Sequence, residues 1–150
     1  MAHVPYPYKQ VRSTRYTFFS LGKTRIEKVV EFVPYGIRNV INLGFGDLRS
    51  DGTIDDVINS NNGDIAKVLA TVIEILRHFT SQHPDAVIYF EGSTKKRNRF
   101  YSRILKTYYS VFSKEFILLA IKEGAEDSQL ITFDPTKNTE YSAFLIKRIV

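Results

Sequence analysis

The sequence has no cysteine, which removes thiolate nucleophiles and thiolate metal sites from consideration and fits a reducing compartment. Histidine is scarce: His3, His78 and His83 are the whole set, and none forms a tight ligand pair of the kind zinc sites use. There is no Walker loop, no G-x-S-x-G elbow and no full dinucleotide fingerprint. No stretch approaches the roughly 18 apolar residues of a membrane-spanning helix. The opening MAHVPYPYKQVRSTRYTFF holds no apolar run of about 7–15 residues, which argues against a secretory leader. These absences predict a soluble, cytoplasmic protein with no membrane partner. Repeats, low-complexity tracts and long linkers are also missing. The 150 residues therefore predict a single domain over 1–150, with residues 1–13 as an extended or loosely held arm.

What is present is charge, unevenly spread. The net charge is +5 and the pI about 9.4. Residues 91–106 carry Lys95, Lys96, Arg97, Arg99, Arg103 and Lys106 against Glu91 alone. Residues 47–64 carry Asp47, Asp51, Asp55, Asp56 and Asp64 against Arg49. A chain polarised in this way offers one basic element to phosphate or to an acidic partner.

Hydrophobic periodicity places the elements. Tyr16–Ser20 and Ile26–Phe32 read as strands joined by a turn at Gly22, and Ile41, Leu43 and Phe45 alternate as a third. Ile65, Val68, Leu69, Val72, Ile75, Leu76 and Phe79 recur at helical spacing over 64–80. AVIYF at 86–90 is a short buried strand. A second helix is predicted over 95–113, capped by Thr94, with Phe100, Tyr101, Ile104, Leu105, Tyr108 and Phe112 on its apolar face. Strands follow at 116–121, 130–133 and 141–146, separated by the turn compositions EGAEDS and DPTKNTE. The order β-β-β-α-β-α-β-β-β predicts an α+β fold with a mixed, mostly antiparallel sheet. Its β-α-β-α-β centre predicts parallel neighbours there.

That order resembles the core of the N-acetyltransferase (GNAT) superfamily, without the helices that the superfamily places between its first two strands. The corresponding segments are NLGFG at 42–46, NNGDIAKVL ending at Leu69, DAVIYFEGS at 85–93 and KKRNRFYSRIL at 95–105. The resemblance implies acetyl-CoA as a cofactor, with the backbone of Asn62, Gly63, Asp64 and Ile65 at its pyrophosphate. It also implies Tyr101 as the acid that protonates the departing thiolate. More closely, YTFFSLGK, FGDL, NGD and GSTKKRNRFY look like a small bacterial family of unknown function seen mainly in Bacteroidetes.

The residues support other readings of the same segments. Asn61 or Asn62 can cap the 64–80 helix while Asp64 complements its dipole, which would need neither phosphate nor cofactor. Tyr101 shares its apolar face with Phe100 and Ile104 and can be a core aromatic. Lys96, Arg99, Arg103 and Lys106 fall at spacings of three, four and three, on one helix face with Lys95 at its start. That face predicts a phosphate or acidic-partner rail, with nucleic acid or an acidic protein as partner and Tyr108 or Tyr109 available to stack a base. DLRSDGTID at 47–55 echoes a calcium loop, but Arg49 and Ile58 stand where ligands belong, so an Asp-Gly turn and no metal is the expectation. The leading reading is a non-catalytic interaction module without a cofactor; the alternative is an acyl-CoA-dependent N-acetyltransferase.

Overall fold

The computed structural model describes residues 4–55, 62–122 and 129–149. His3, Ile58, Asn61 and the EGAEDS segment lie outside the described residues. The class is α+β, as the sequence predicts: nine strands in a mixed, mostly antiparallel open sheet with three helices, among the described residues. Contacts divide the chain into two compact units, one of residues 1–35 and 42–84, the other of 36–41 and 85–150.

The first unit holds β1 (Tyr8–Arg12), β2 (Arg15–Leu21), β3 (Arg25–Pro34), most of β4 (Val40–Leu48), the short β5 (Ile54–Asp55) and α1 (Ile65–Gln82). Its strands run in the order β1-β2-β3-β4, with β5 paired to β4. β2 and β3 form an unbroken antiparallel hairpin from Arg15 opposite Glu31 to Leu21 opposite Arg25. Their β-branched and aromatic residues suit a pleated surface, and Tyr16, Phe18, Val29, Val30 and Phe32 are buried. From α1 come Val68, Ile73, Ile75, Leu76 and Phe79, with the Phe79 ring stacked on Phe32 at 3.9 Å. Ile65, the first residue of the helix, does not join that face; it is exposed.

The arm contributes more than the sequence suggests. Residues 8–12 are a strand, antiparallel to β2 with Tyr8 opposite Phe18. Tyr6 is buried, and its backbone N–H donates to Thr71 Oγ1 of α1 at 2.8 Å. YKQVR carries no alternating apolar face, since four of its five residues are exposed on an edge strand, and so gives no periodic signal.

An ion-pair cluster marks the same edge. Glu31 accepts from Arg15 Nε at 2.6 Å and from Arg12 Nη2 at 2.8 Å, and Arg15 also donates to the Gly52 carbonyl. The hydrogen bond from Arg15, assisted by Arg12, holds the Glu31 carboxyl below the ordinary glutamate range. A carboxyl depressed on folding adds stability that is present above its unfolded pKa, about 4.3, and is lost as pH falls through the folded value. Glu31→Gln is therefore expected to lower the melting temperature at pH 7 and to leave a shallower decline between neutral and acid pH. Melting curves from pH 7 down to 3 check this; parallel declines in both proteins would remove the effect.

The second unit holds β6 (Val87–Phe90), α2 (Lys95–Thr107), α3 (Tyr109–Phe112), β7 (Phe116–Lys122), β8 (Gln129–Thr132) and β9 (Tyr141–Arg148), with strand order β6-β9-β7-β8. β9 is antiparallel to both β6 and β7. The expected parallel contact between the strands on either side of α2 is thus replaced: the last strand inserts between them. β7 alternates cleanly, burying Phe116, Leu118 and Ala120. Phe144 of β9 stacks on Phe90 at 5.3 Å and meets Phe133 and Tyr141 in an aromatic cluster. The predicted 95–113 helix is broken. Tyr108, at φ −105° and ψ 18°, caps α2 and opens α3. On α2 itself Leu105 and Ser102 are buried, whereas Phe100 is exposed rather than part of the apolar face.

Candidate functional site

Two segments were singled out by the sequence: the 62–65 turn in the first unit and α2 in the second. Asn62 does not cap α1. Its Nδ2 donates to the carbonyls of Thr24 at 2.7 Å and Ser20 at 3.3 Å and to Ser20 Oγ at 2.9 Å, while Oδ1 accepts from the Thr24 N–H at 2.8 Å. Its own carbonyl accepts from the Lys23 N–H at 2.8 Å. Asn62 is therefore buried as a plug in the β2–β3 hairpin turn. Gly22 makes this possible: a Cβ there would stand 1.9 Å from the Asn62 carbonyl oxygen.

Asp64 occupies the N-cap position, but its side chain makes no capping bond. Its Oδ2 instead accepts from Tyr6 Oη and Ser20 Oγ, both at 2.6 Å. Burial, reinforced by the bond to Asp64, pushes the Tyr6 phenol above its usual range and keeps it a donor. The carboxylate thus ties the arm and β2 to the start of α1 without capping a backbone N–H of the helix. Gly63 turns the chain between them at φ 82° and is exposed, as is Ile65.

α2 is set by a tight entry. Thr94 accepts from the Arg97 N–H at 3.2 Å, the cap that the sequence predicts. Asn98 Oδ1 reaches back to the Gly92 N–H at 2.7 Å, and a Cβ on Gly92 would lie 2.6 Å from Arg97 Cβ. Beyond that entry the helix contains no acid, and Lys95, Lys96, Arg99 and Arg103 are exposed. The β8–β9 loop answers part of the charge. Arg99 Nε donates to Glu140 at 2.9 Å and Lys106 Nζ to Asn138 Oδ1 at 3.0 Å. Both partners of the Arg99 pair are solvent-exposed, so it contributes roughly 0–1 kcal/mol. Lys96 and Arg103 have no acidic partner among the described residues; Arg103 lies 5.9 Å from the centroid of the Phe100 ring.

Residues 2–149 match the model of a family of unknown function, DUF6934. The chain belongs to that family. No curated protein and no solved structure matches it significantly. Family membership over nearly the whole chain agrees with the sequence resemblance to a family of unknown function, whereas no comparison shows a likeness to the acetyltransferase core.

In this DUF6934 member Tyr101 is half-buried, its ring edge-on to Phe90 at 5.7 Å, on the strand that precedes α2. Tyr109 stacks on Phe133 at 6.3 Å. The exposed ring on α2 is Phe100, which sequence reasoning had put in the core; its spacing from Lys96 and Arg103, four and three residues, was the available signal. The 47–55 segment spends its carboxylates on the protein. Asp47 pairs with Lys28, Asp51 accepts from the Thr53 N–H and hydroxyl, and Asp55 faces Arg49 at 3.5 Å. Among the described residues no group of three or more acids or histidines is placed to hold a metal ion, and no helix is long and apolar enough to cross a membrane.

Proposed function

We propose that the protein is a non-catalytic binding module and that the exposed face of α2 holds a phosphate-bearing strand, single-stranded nucleic acid. The observation that carries this is Phe100, an exposed ring flanked by Lys96 and Arg103, which have no acidic partner among the described residues, on a helix without acids. Lys95, Lys96, Arg99, Arg103 and Lys106 supply cations for a phosphate backbone, and the ring supplies a platform for a base. A polyacidic peptide would satisfy the cations but offers no ring to stack on Phe100. Acyl transfer from acetyl-CoA draws less support, since the Asp64 carboxylate stands at the helix start where the pyrophosphate would bind and the Tyr101 ring packs against Phe90.

Fluorescence anisotropy with a labelled oligothymidylate tests the reading. With about four phosphates neutralised, affinity is expected to fall roughly 50-fold between 50 and 200 mM salt. Lys96→Glu with Arg103→Glu is expected to abolish binding without lowering the melting temperature, and Glu140→Gln to strengthen it by freeing Arg99. Phe100→Ala is expected to weaken binding roughly fivefold or more, the scale of one lost stacking contact. Absence of binding at 50 mM salt overturns the proposal. So does equal affinity for a polyglutamate peptide, which would make the partner an acidic protein.

A further inference from the structure

The second unit contains a cleft that no function above uses. It has a volume of about 530 Å³ and is open to solvent, between α3, the end of β7, β8 and the loop that leads into β9. Small-molecule sites occupy roughly 300–1,000 Å³, so the cleft is large enough to be one. Its polar groups converge from separate elements: Lys122 from the end of β7, Thr132 from β8, Lys137 and Thr139 from the loop, and Tyr141 from the start of β9.

Tyr141 is the unusual member. It is 3% exposed, its ring held against Phe133 and Phe144, yet its hydroxyl has no hydrogen-bond partner among the described residues. No buried side-chain oxygen or nitrogen in the described residues is left unsatisfied, so this hydroxyl still meets solvent, and the cleft it lines is where that solvent lies. A phenol on an otherwise buried ring is normally given a partner by the fold. This hydroxyl, open to the cleft, can donate to a group that enters it.

The electrostatics favour an anion. Lys122 and Lys137 line the cleft without a salt bridge to an acid among the described residues, against one acid, Asp134, whose carboxyl is held low by its bonds to Thr136 and by the nearby Lys137 charge. Asp134 is spent within its own turn: Oδ1 accepts from the Thr136 N–H at 2.9 Å and from its hydroxyl at 2.6 Å. The hydroxyls of Thr132 and Thr139 add donors beside the lysines. On the other wall Tyr109 offers a ring backed by Phe133, an aromatic surface fixed in orientation.

We infer that this cleft binds a small phosphate ester carrying a flat ring, a nucleoside monophosphate, with Lys122, Lys137 and the Tyr141 hydroxyl at the phosphate and Tyr109 against the ring. None of the α2 cations lines the cleft, although its loop also carries Asn138 and Glu140, which bond Lys106 and Arg99, and the inference does not depend on the strand-binding reading. The ligand has two sources, a free mononucleotide or the phosphorylated end of a strand.

Calorimetric titration of the full chain with adenosine and uridine monophosphates tests it. Binding is expected to exceed that of inorganic phosphate and of the bare nucleosides at least tenfold, because phosphate and ring are read together. Tyr141→Phe keeps the ring in its cluster and is expected to cost about fivefold in affinity for the loss of one hydrogen bond, with an unchanged melting temperature. Lys137→Gln, on an exposed loop, is expected to lower affinity further. Lys96→Glu with Arg103→Glu is expected to leave mononucleotide affinity unaltered, which separates failure here from failure at α2. A 5′-phosphorylated oligonucleotide binding more tightly than its unphosphorylated twin would make the strand end the source; equal binding would make it the free nucleotide. No titratable mononucleotide binding, binding equal to that of inorganic phosphate, or affinity indifferent to both Tyr141→Phe and Lys137→Gln overturns the inference.

Discussion

Gly22→Ala is expected to destabilise the protein by roughly 3–5 kcal/mol, the cost of a severe overpacking together with broken buried hydrogen bonds. The new Cβ would stand 1.9 Å from the Asn62 carbonyl oxygen and 2.8 Å from its carbonyl carbon, both backbone atoms that no rotamer change can move. Backing Asn62 away breaks its bond from the Lys23 N–H and pulls the side-chain amide off Ser20 and Thr24. At this chain length each kcal/mol is worth about 2–4 °C, so the melting temperature is expected to drop by about 10 °C or more. Gly63→Ala is the control. Its Cβ would have space, with Lys23 carbons at 3.7 and 3.8 Å, and it carries only the left-handed backbone cost of roughly 1–2 kcal/mol. Asn62→Asp separates shape from hydrogen bonding: it keeps the volume but turns acceptors toward the Ser20 and Thr24 carbonyls. Urea and thermal melts that place Gly22→Ala within about 0.5 kcal/mol of the unaltered chain, the ordinary range of a surface change, would refute the plugged-hairpin account.

That plug explains what was and was not legible in the sequence. Elements with a periodic apolar signal came through with their bounds nearly intact: the helix expected over 64–80 is Ile65–Gln82, and the strand expected at 116–121 is Phe116–Lys122. β1 did not, because an edge strand with one half-buried residue has no period to read. β9 was placed as a strand, but nothing local says that it inserts between β6 and β7. That insertion is decided by which strands can share apolar faces, Ile146 opposite Ile88 on one side and Leu118 on the other. The break at Tyr108 was equally hidden, since the residues on either side keep helical spacing.

The candidate sites divide in the same way. Charge is additive and local, so the basic face of α2 could be listed residue by residue from spacing alone. The role of Asn62 could not: its partners Ser20 and Thr24 lie about forty residues earlier, and an Asn-Gly-Asp run before a helix reads as a cap whatever it does. Its orientation is chemically determined once the fold is known, because Oδ1 faces an N–H and Nδ2 faces two carbonyls. Local grammar therefore reported the right residues and the wrong partners. The cleft beside Tyr141 left no trace in the sequence, for it is assembled from α3, the ends of three strands and a loop.

The second large effect concerns Lys28. Its side chain shares a strand face with Val30 and Phe32, is 7% exposed and pairs with Asp47 of β4. A lysine this buried is tolerated only with opposite charge and hydrogen-bond partners beside it, and Asp47 supplies part of that. Asp47→Ala removes one charged hydrogen-bond partner of a buried ammonium that keeps another interaction, for which a loss of about 1.5–3 kcal/mol is expected. Lys28→Met is expected to cost less, because Asp47 is the more exposed partner and can hydrate. The double change Lys28→Met with Asp47→Leu is expected to recover most of the stability, since replacing a buried pair by apolar residues of similar volume is often neutral or stabilising by about 1–4 kcal/mol. The order of the three variants is the test. Denaturant melts should rank Asp47→Ala lowest, Lys28→Met in between and the double variant nearest the parent. If Asp47→Ala costs under about 1 kcal/mol, the pair behaves as a surface contact, and the β3–β4 junction is held by backbone pairing and apolar burial alone.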